Sequence, residues 1–136
     1  MRQIRMVARL VPLVAVLTPA LGLAQDEGQR VAGSEVFKTY CAVCHGTGGK
    51  GNGQLADALR VKPADLTILA KKNGGTFPKD QTLRIVDGRK AVKGHGGADM
   101  PVWGDAFKQS KDGYSEAAVK AKIEAVVGYI ETLQEH

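Results

Sequence analysis

Two cysteines and one histidine form the most reactive cluster in this sequence. Cys41 and Cys44 are the only cysteines among 136 residues, and in the stretch YCAVCHG they lie three positions apart, with His45 directly after the second. This spacing is typical of three chemistries: a redox dithiol, a metal site, or a site where two thiols anchor a cofactor and the imidazole binds its metal. Each chemistry makes a different demand on the rest of the chain.

Two of these chemistries fit the flanking sequence poorly. A thioredoxin-like dithiol needs a βαβ setting with its first cysteine at a helix N-terminus, whereas this motif ends a predicted helix. A structural zinc site needs four ligands, usually as two separated pairs, and outside the cluster only His95 and His136 are available. A Cys41–Cys44 disulfide stays open as the simplest structural alternative, although it leaves His45 and the following glycine-rich loop without a role.

Covalent haem attachment accounts for every position of the cluster. Two thiols one helical turn apart can each add to a vinyl group at one porphyrin edge, and the imidazole of the next residue can then reach the iron. The sequence therefore predicts one haem c, held by Cys41 and Cys44 and ligated by His45. No second C-x-x-C-H motif is present.

The second axial ligand of the iron is predicted to be Met100. If a signal peptide removes Met1 and Met6, Met100 is the remaining methionine, and it lies in the irregular stretch GADMPVWGDAF. A thioether favours reduced iron more than a second imidazole does, so Met with His raises the reduction potential. His95 is the competing ligand, and an exposed histidine among glycines is its simpler interpretation.

The N-terminal residues have the pattern of an export signal. Arg2, Arg5 and Arg9 precede an apolar run over residues 10–24 that is too short to span a bilayer and closes with small residues. We expect a signal peptide over residues 1–24 and one domain over residues 25–136. This domain is expected in the periplasm, without stable membrane insertion after cleavage; an uncleaved N-terminal anchor is the alternative.

Hydrophobic spacing predicts an all-α domain, because no convincing period-2 strand is found. We expect a short flexible lead-in over residues 25–32, and then a helix from an N-cap at Ser34 to the cysteine motif. A second helix is predicted to begin at Pro63 and end at residues 73–75, and a third to begin at Pro78 and end at Gly88. Residues 91–107 are predicted to be irregular, and Ser115 is predicted to cap a last helix.

Charge is distributed unevenly along the chain. The formal net charge is +5, and without the three signal arginines 16 basic residues face 14 acidic ones, which does not imply nucleic-acid binding. Residues 50–93, however, hold ten Lys and Arg against four Asp. Such a segment can steer an acidic partner, although a solvated lysine-rich surface without a partner is equally compatible with it. The lysines predicted to guide a partner are Lys38, Lys50, Lys62, Lys90 and Lys93.

The order of these motifs over residues 33–134 resembles that of class I c-type cytochromes, monohaem and exported. Residues 41–45 match the attachment motif of this family, and Met100-Pro-Val-Trp103-Gly104 resembles the Met-Pro-x-Trp loop of many bacterial members. The resemblance implies the cytochrome c fold, with helices packed around one covalent haem and crossing terminal helices. Gly33 and Phe37 look like one side of that crossing, and Val126 and Tyr129 look like the other.

The resemblance also implies roles for three further residues. The Pro63 carbonyl is expected to accept a hydrogen bond from His45, and Trp103 and Arg89, with Lys90 behind it, are expected to contact the haem propionates. The implied function is one-electron transfer between redox partner proteins, a dehydrogenase or respiratory complex and an oxidase, and the chain is not expected to be an enzyme. The alternatives are a dedicated cytochrome subunit of a dehydrogenase or oxidase complex, and a haem ligand sensor or peroxidase-like protein.

Overall fold

The computed structural model describes residues 20–89, 100–110 and 115–135, with side chains from residue 28 onward in the first helix. The described residues form helices and connecting turns, and no strand occurs among them, as predicted for an all-α domain. The helices are α1 (Ala20–Val36), α2 (Ala42–His45), α3 (Leu69–Lys72), α4 (Lys79–Asp87), α5 (Trp103–Lys108) and α6 (Glu116–Thr132). A π-helical turn over Phe37–Cys41 joins α1 to α2, and a 3₁₀ turn occupies Ala56–Ala58.

Helix α1 begins well before the predicted start. It is continuous from Ala20 to Val36, so residues 25–32 are helical and the expected flexible lead-in is wrong. Ser34 lies inside the helix and its hydroxyl donates to the Val31 carbonyl (2.8 Å), so it is not the N-cap. The segment contains mostly good helix formers, and packing on α6 stabilises its C-terminal part. Cleavage after Ala24 stays a prediction.

The most extensive contact between helices in the described part of the chain joins α1 to α6. Gly33 is buried, and a Cβ atom built there would overlap the carbonyl of Ala125 and lie 3.0 Å from Tyr129 Cβ. One turn later, the Phe37 and Tyr129 rings are 5.4 Å apart between centroids. The two terminal helices therefore meet at the predicted glycine and aromatic pair, with Ala125 rather than Val126 opposite the glycine.

The core is built on the apolar stripe of α6. Val119, Ile123, Val126, Val127 and Ile130 are all buried on this helix, as their spacing of three and four residues predicts. Helices α1, α4 and α5 all pack against it. The start of α6 is also as predicted, because the Ser115 hydroxyl accepts a hydrogen bond from the Ala118 amide (3.3 Å).

The middle of the chain is less helical than predicted at one place and more helical at another. Asp65 accepts from both the amide (2.9 Å) and the hydroxyl (2.7 Å) of Thr67, a local turn that competes with helix formation, so α3 starts only at Leu69. Conversely, α5 takes up residues 103–107 of the stretch predicted to be irregular and ends at Lys108, while residues 91–99 of that stretch lie outside the described residues. Helix α4 ends as predicted, with Gly88 in the left-handed conformation (φ 70°). Within the described residues, no helix is both long and apolar enough to cross a bilayer.

Candidate haem-binding site

The cysteine motif lies where the first helical region ends. The π-helical turn places Cys41 at its last residue, and α2 carries Cys44 and His45 in the following single turn. Short π segments inside helices are rare overall, but those that occur often lie at functional sites. Both thiols are half-buried and free, and burial, with a smaller contribution from Cys44, raises the pKa of Cys41 to about 12. A redox dithiol needs the opposite shift, toward a thiolate at neutral pH.

The glycine-rich loop after His45 holds α2 in place through its backbone. Its amides donate to the carbonyl groups that the end of a helix leaves unpaired. Gly46 donates to Ala42 (2.8 Å), Leu55 to Val43 (2.9 Å), Gly53 to Cys44 (3.0 Å) and Gly51 to His45 (2.8 Å). Gly46 and Gly51 achieve this with φ angles of 78° and 72°, which side-chain-bearing residues rarely adopt. The positions of Cys44 and His45 are therefore set by main-chain contacts.

The His45 ring is oriented by a backbone carbonyl. Its Nδ1 lies 3.0 Å from the carbonyl oxygen of Ala64, and because that oxygen can only accept, Nδ1 carries the proton and Nε2 keeps its lone pair. Burial lowers the pKa of His45, against the smaller opposing effect of the Ala64 hydrogen bond, and so favours the neutral ring. This tautomer is the one in which Nε2 can bind a metal.

The hydrogen-bond partner of His45 differs from the one implied by the resemblance. The expected acceptor, Pro63, is one residue away from the observed acceptor, Ala64. The Pro63 carbonyl instead faces Gly51, where a Cβ atom would overlap it. The Pro63 carbonyl thus packs against the backbone of Gly51, whereas the Ala64 carbonyl accepts the hydrogen bond from the His45 ring.

An aromatic cluster follows Met100, and Trp103 is the member of it that was among the predicted site residues. Met100 is half-buried and packs against the core. Three residues later, the Trp103 ring stacks on Phe107 (5.5 Å between centroids) and meets Tyr40 edge-on (5.6 Å), while Tyr40 also contacts Phe107 (5.2 Å). Since Tyr40 directly precedes Cys41, this cluster connects the segment after Met100 to the cysteine motif.

Tyr40, Phe107 and Lys122 were absent from the predicted site. The Nζ atom of Lys122 lies 4.9 Å from the Phe107 ring centroid and 5.4 Å from that of Tyr40, within cation–π range. The spacing of Trp103 and Phe107, four residues apart, could have indicated one helix face. Nothing local in the sequence relates that face to Tyr40 or Lys122. The expected propionate contact of Trp103 stays a prediction.

Arg89 is engaged by two carboxylates. Its Nε and Nη2 donate to Asp87 (2.6 and 3.0 Å), and its Nη1 donates to Glu116 (2.7 Å). Hydrogen bonds from Arg89 and then Lys108 hold the pKa of Glu116 below its usual range. Two side chains of the chain itself thus match the charge of Arg89, and its expected contact with a haem propionate stays a prediction.

The remaining predicted residues have different outcomes. Lys38 pairs with Glu35 (3.0 Å) and Lys50 with Glu135 (2.7 Å), so both have an acidic neighbour of their own. Lys62 is exposed and lies two residues before Ala64. His95, Lys90 and Lys93 lie outside the described residues.

The residues present fit a covalently attached haem. Two free thiols stand on consecutive turns, the imidazole beside them has an available Nε2, and a thioether is held against the core at Met100. Sulfur and imidazole are donors that suit haem iron. The glycine-rich loop fixes the backbone around Cys44 and His45 through its hydrogen bonds.

Comparison with known proteins agrees with this chemistry. A family model described as cytochrome c oxidase, cbb3-type, subunit III matches residues 28–130, a span that begins in α1 and ends near the C-terminus of α6. No curated protein and no solved structure shows a significant match to the chain.

Proposed function

The chain belongs to the family described as cytochrome c oxidase, cbb3-type, subunit III, a family of c-type cytochrome domains, and from this premise we propose that it is a periplasmic electron carrier with His45 and Met100 as axial ligands. Membership makes it a monohaem c-type cytochrome with covalently attached haem c. Bound haem c supplies a one-electron Fe(III)/Fe(II) couple. The donor and acceptor are redox proteins.

The observation that carries the proposal is the orientation of His45. Cys41 and Cys44 would anchor the cofactor through thioether bonds, and the Ala64 carbonyl holds His45 in the tautomer whose Nε2 could bind the iron. Met100 provides a second ligand from a part of the chain packed on the core. With both axial positions filled by side chains, a small molecule has no open site on the metal, which favours electron transfer over catalysis.

Absorption spectra of the holoprotein test this ligation. The protein would be produced in a host that attaches haem c, and its oxidised form examined for the weak long-wavelength band of a thioether bound to iron. We expect the band in the parent and its loss in Met100→Ala, together with rapid carbon monoxide binding to the reduced variant. A parent without the band, or a variant that keeps it, would exclude Met100 as ligand.

One observation favours a second candidate function. The family description names an oxidase subunit, so this chain could be a dedicated subunit of an oxidase complex. Purification of the native protein at low and high salt separates the two functions, because a mobile carrier elutes alone and a subunit elutes with its complex. A sensor or peroxidase-like role would require Met100 to leave the iron, and rapid carbon monoxide binding to the unmodified reduced protein would favour it.

Lys62 is expected to guide anionic partners. It is exposed, it has no ion-pair partner among the described residues, and it lies two residues before the carbonyl that orients His45. We expect Lys62→Gln to slow oxidation of the reduced protein by the anion ferricyanide about twofold at low salt, the size of a typical surface charge interaction. Stopped-flow rates at increasing sodium chloride should converge for parent and variant, because salt screens the interaction.

Lys120→Gln is the matched control for net charge. Lys120 is exposed on α6 and pairs with Glu124 on the same helix (2.8 Å). If it slows ferricyanide oxidation as much as Lys62→Gln does, the rate depends on total charge and Lys62 has no local steering role.

A further inference from the structure

The segment that carries Met100 is held against the end of α4. We call residues 100–104 the Met100 segment. A Cβ atom at Gly88, which ends α4, would lie 3.2 Å from the Cα of Val102. Gly104 is buried, and a Cβ atom there would overlap the side chains of Arg89 and Asp87. Two close approaches, each allowed by a glycine, therefore join this segment to the residues around Arg89.

Four charged side chains surround this junction and link three helices. We call Asp87, Arg89, Lys108 and Glu116 the Arg89 cluster. Arg89 binds Asp87, at the end of α4, through two nitrogens, and it reaches Glu116 in the first turn of α6. Lys108, at the end of α5, donates to the other oxygen of Glu116 (2.6 Å). The Arg89 side chain is 28% exposed, less than those of Asp87 (32%), Lys108 (54%) and Glu116 (57%).

Helix α5 is consequently fixed at both ends. Its second residue, Gly104, rests on the Arg89 side chain, and its last residue, Lys108, is held by Glu116. Trp103 and Phe107 of the same helix pack on Tyr40. A two-pronged guanidinium–carboxylate pair is directional, so it sets the orientation of what packs on it and not only its distance.

We propose that the Arg89 cluster positions Met100 for binding to the iron, with Arg89 as the positioning residue. The inference rests on the proposed His45 and Met100 ligation. The cluster is too exposed to contribute much to global stability, since surface ion pairs contribute little. Its effect lies in the local equilibrium between bound and released Met100, because local opening needs less free energy than unfolding.

The chain offers a matched control. Lys79 and Glu131 also join α4 to α6 (3.0 Å), and their side chains are 54% and 43% exposed. They lie at the opposite end of α4 from the Arg89 cluster and at the last turn of α6. Glu131→Gln therefore removes a bridge between the same two helices without touching the Met100 segment.

Carbon monoxide binding to the reduced holoprotein measures how often Met100 leaves the iron. We expect Arg89→Gln to raise the limiting association rate about fivefold, the change that a modest local destabilisation produces. Glu116→Gln should give a smaller increase in the same direction, although Arg89 itself is unchanged in that variant. Glu131→Gln should keep the carbon monoxide association rate of the parent. This should hold even if Glu131→Gln lowers the denaturant midpoint as much as Arg89→Gln does.

The outcomes separate this proposal from the proposed ligation. A parent with the thioether band and an Arg89→Gln variant with the parent rate would overturn the positioning role and leave the ligation intact. Equal rate increases in Arg89→Gln and Glu131→Gln would also overturn it, because they would indicate general loosening. An unchanged rate in Glu116→Gln would assign the Arg89 effect to a direct haem contact instead, and a parent without the band would overturn both proposals.

A second substitution covers the case in which Arg89→Gln does not fold. Gly104→Ala keeps all four charges of the Arg89 cluster and adds one methyl group that must displace the Arg89 side chain. It is expected to raise the carbon monoxide rate as Arg89→Gln does, and a parent rate in Gly104→Ala would contradict the proposal.

Discussion

Gly33→Ala should lower the free energy of unfolding by about 2 kcal/mol, within the range for overpacking a closely packed contact. The added methyl group would overlap the carbonyl of Ala125, which is main chain of α6 and cannot rotate away. To make room, α1 would move off α6 and separate the Phe37 and Tyr129 rings. Denaturant unfolding of the holoprotein, followed by circular dichroism, measures the loss.

Gly28→Ala is the control for Gly33→Ala. Gly28 is exposed on the same helix, and a Cβ atom there meets nothing within 4 Å. Alanine at an open helix position is expected to stabilise the helix by about 0.5–1 kcal/mol relative to glycine. If both variants gain stability, the close contact between the terminal helices at Gly33 is not present in solution.

Gly51→Ala is expected to damage the haem site itself. Gly51 has φ 72°, a conformation that costs an alanine about 1–2 kcal/mol. Its methyl group would also overlap the Pro63 carbonyl and lie 3.3 Å from the carbonyl carbon of Ala64. Moving Ala64 weakens its hydrogen bond to His45, which makes the imidazole a poorer donor to the iron. We therefore expect a stability loss of about 3 kcal/mol or more, combining strain and overpacking, and a higher reduction potential.

Gly74→Ala is the control that separates backbone strain from the steric overlap with the Pro63 carbonyl. Gly74 has a similar φ of 69°, but a Cβ atom there meets nothing within 4 Å. Gly74→Ala should lower the free energy of unfolding only by the backbone strain. A redox titration of this variant should give the reduction potential of the parent. A Gly51→Ala variant that matches Gly74→Ala in both stability and potential would show that the Pro63 and Ala64 carbonyls do not constrain the site.

The predictions that were confirmed rest on local sequence patterns. The spacing of Cys41, Cys44 and His45 predicted covalent haem, which family membership confirms. The stripe of α6 and its Ser115 cap were read from residues three or four apart. These features are set within one or two helical turns, so neighbouring residues contain the information. The signal peptide, the periplasmic location and Met100 ligation stay predictions, because no observation of the described residues tests them.

Side-chain type and helical period are local properties, so the sequence was sufficient to identify the haem-attachment motif and the buried face of α6. How these residues are held became evident from the three-dimensional packing: Ala64 rather than Pro63 orients His45, and Arg89 binds Glu116. The α1 start and the aromatic cluster around Tyr40 were also settled at this level. Such pairings join segments far apart along the chain, and their geometry depends on where glycines allow two backbones to approach, which no local pattern specifies.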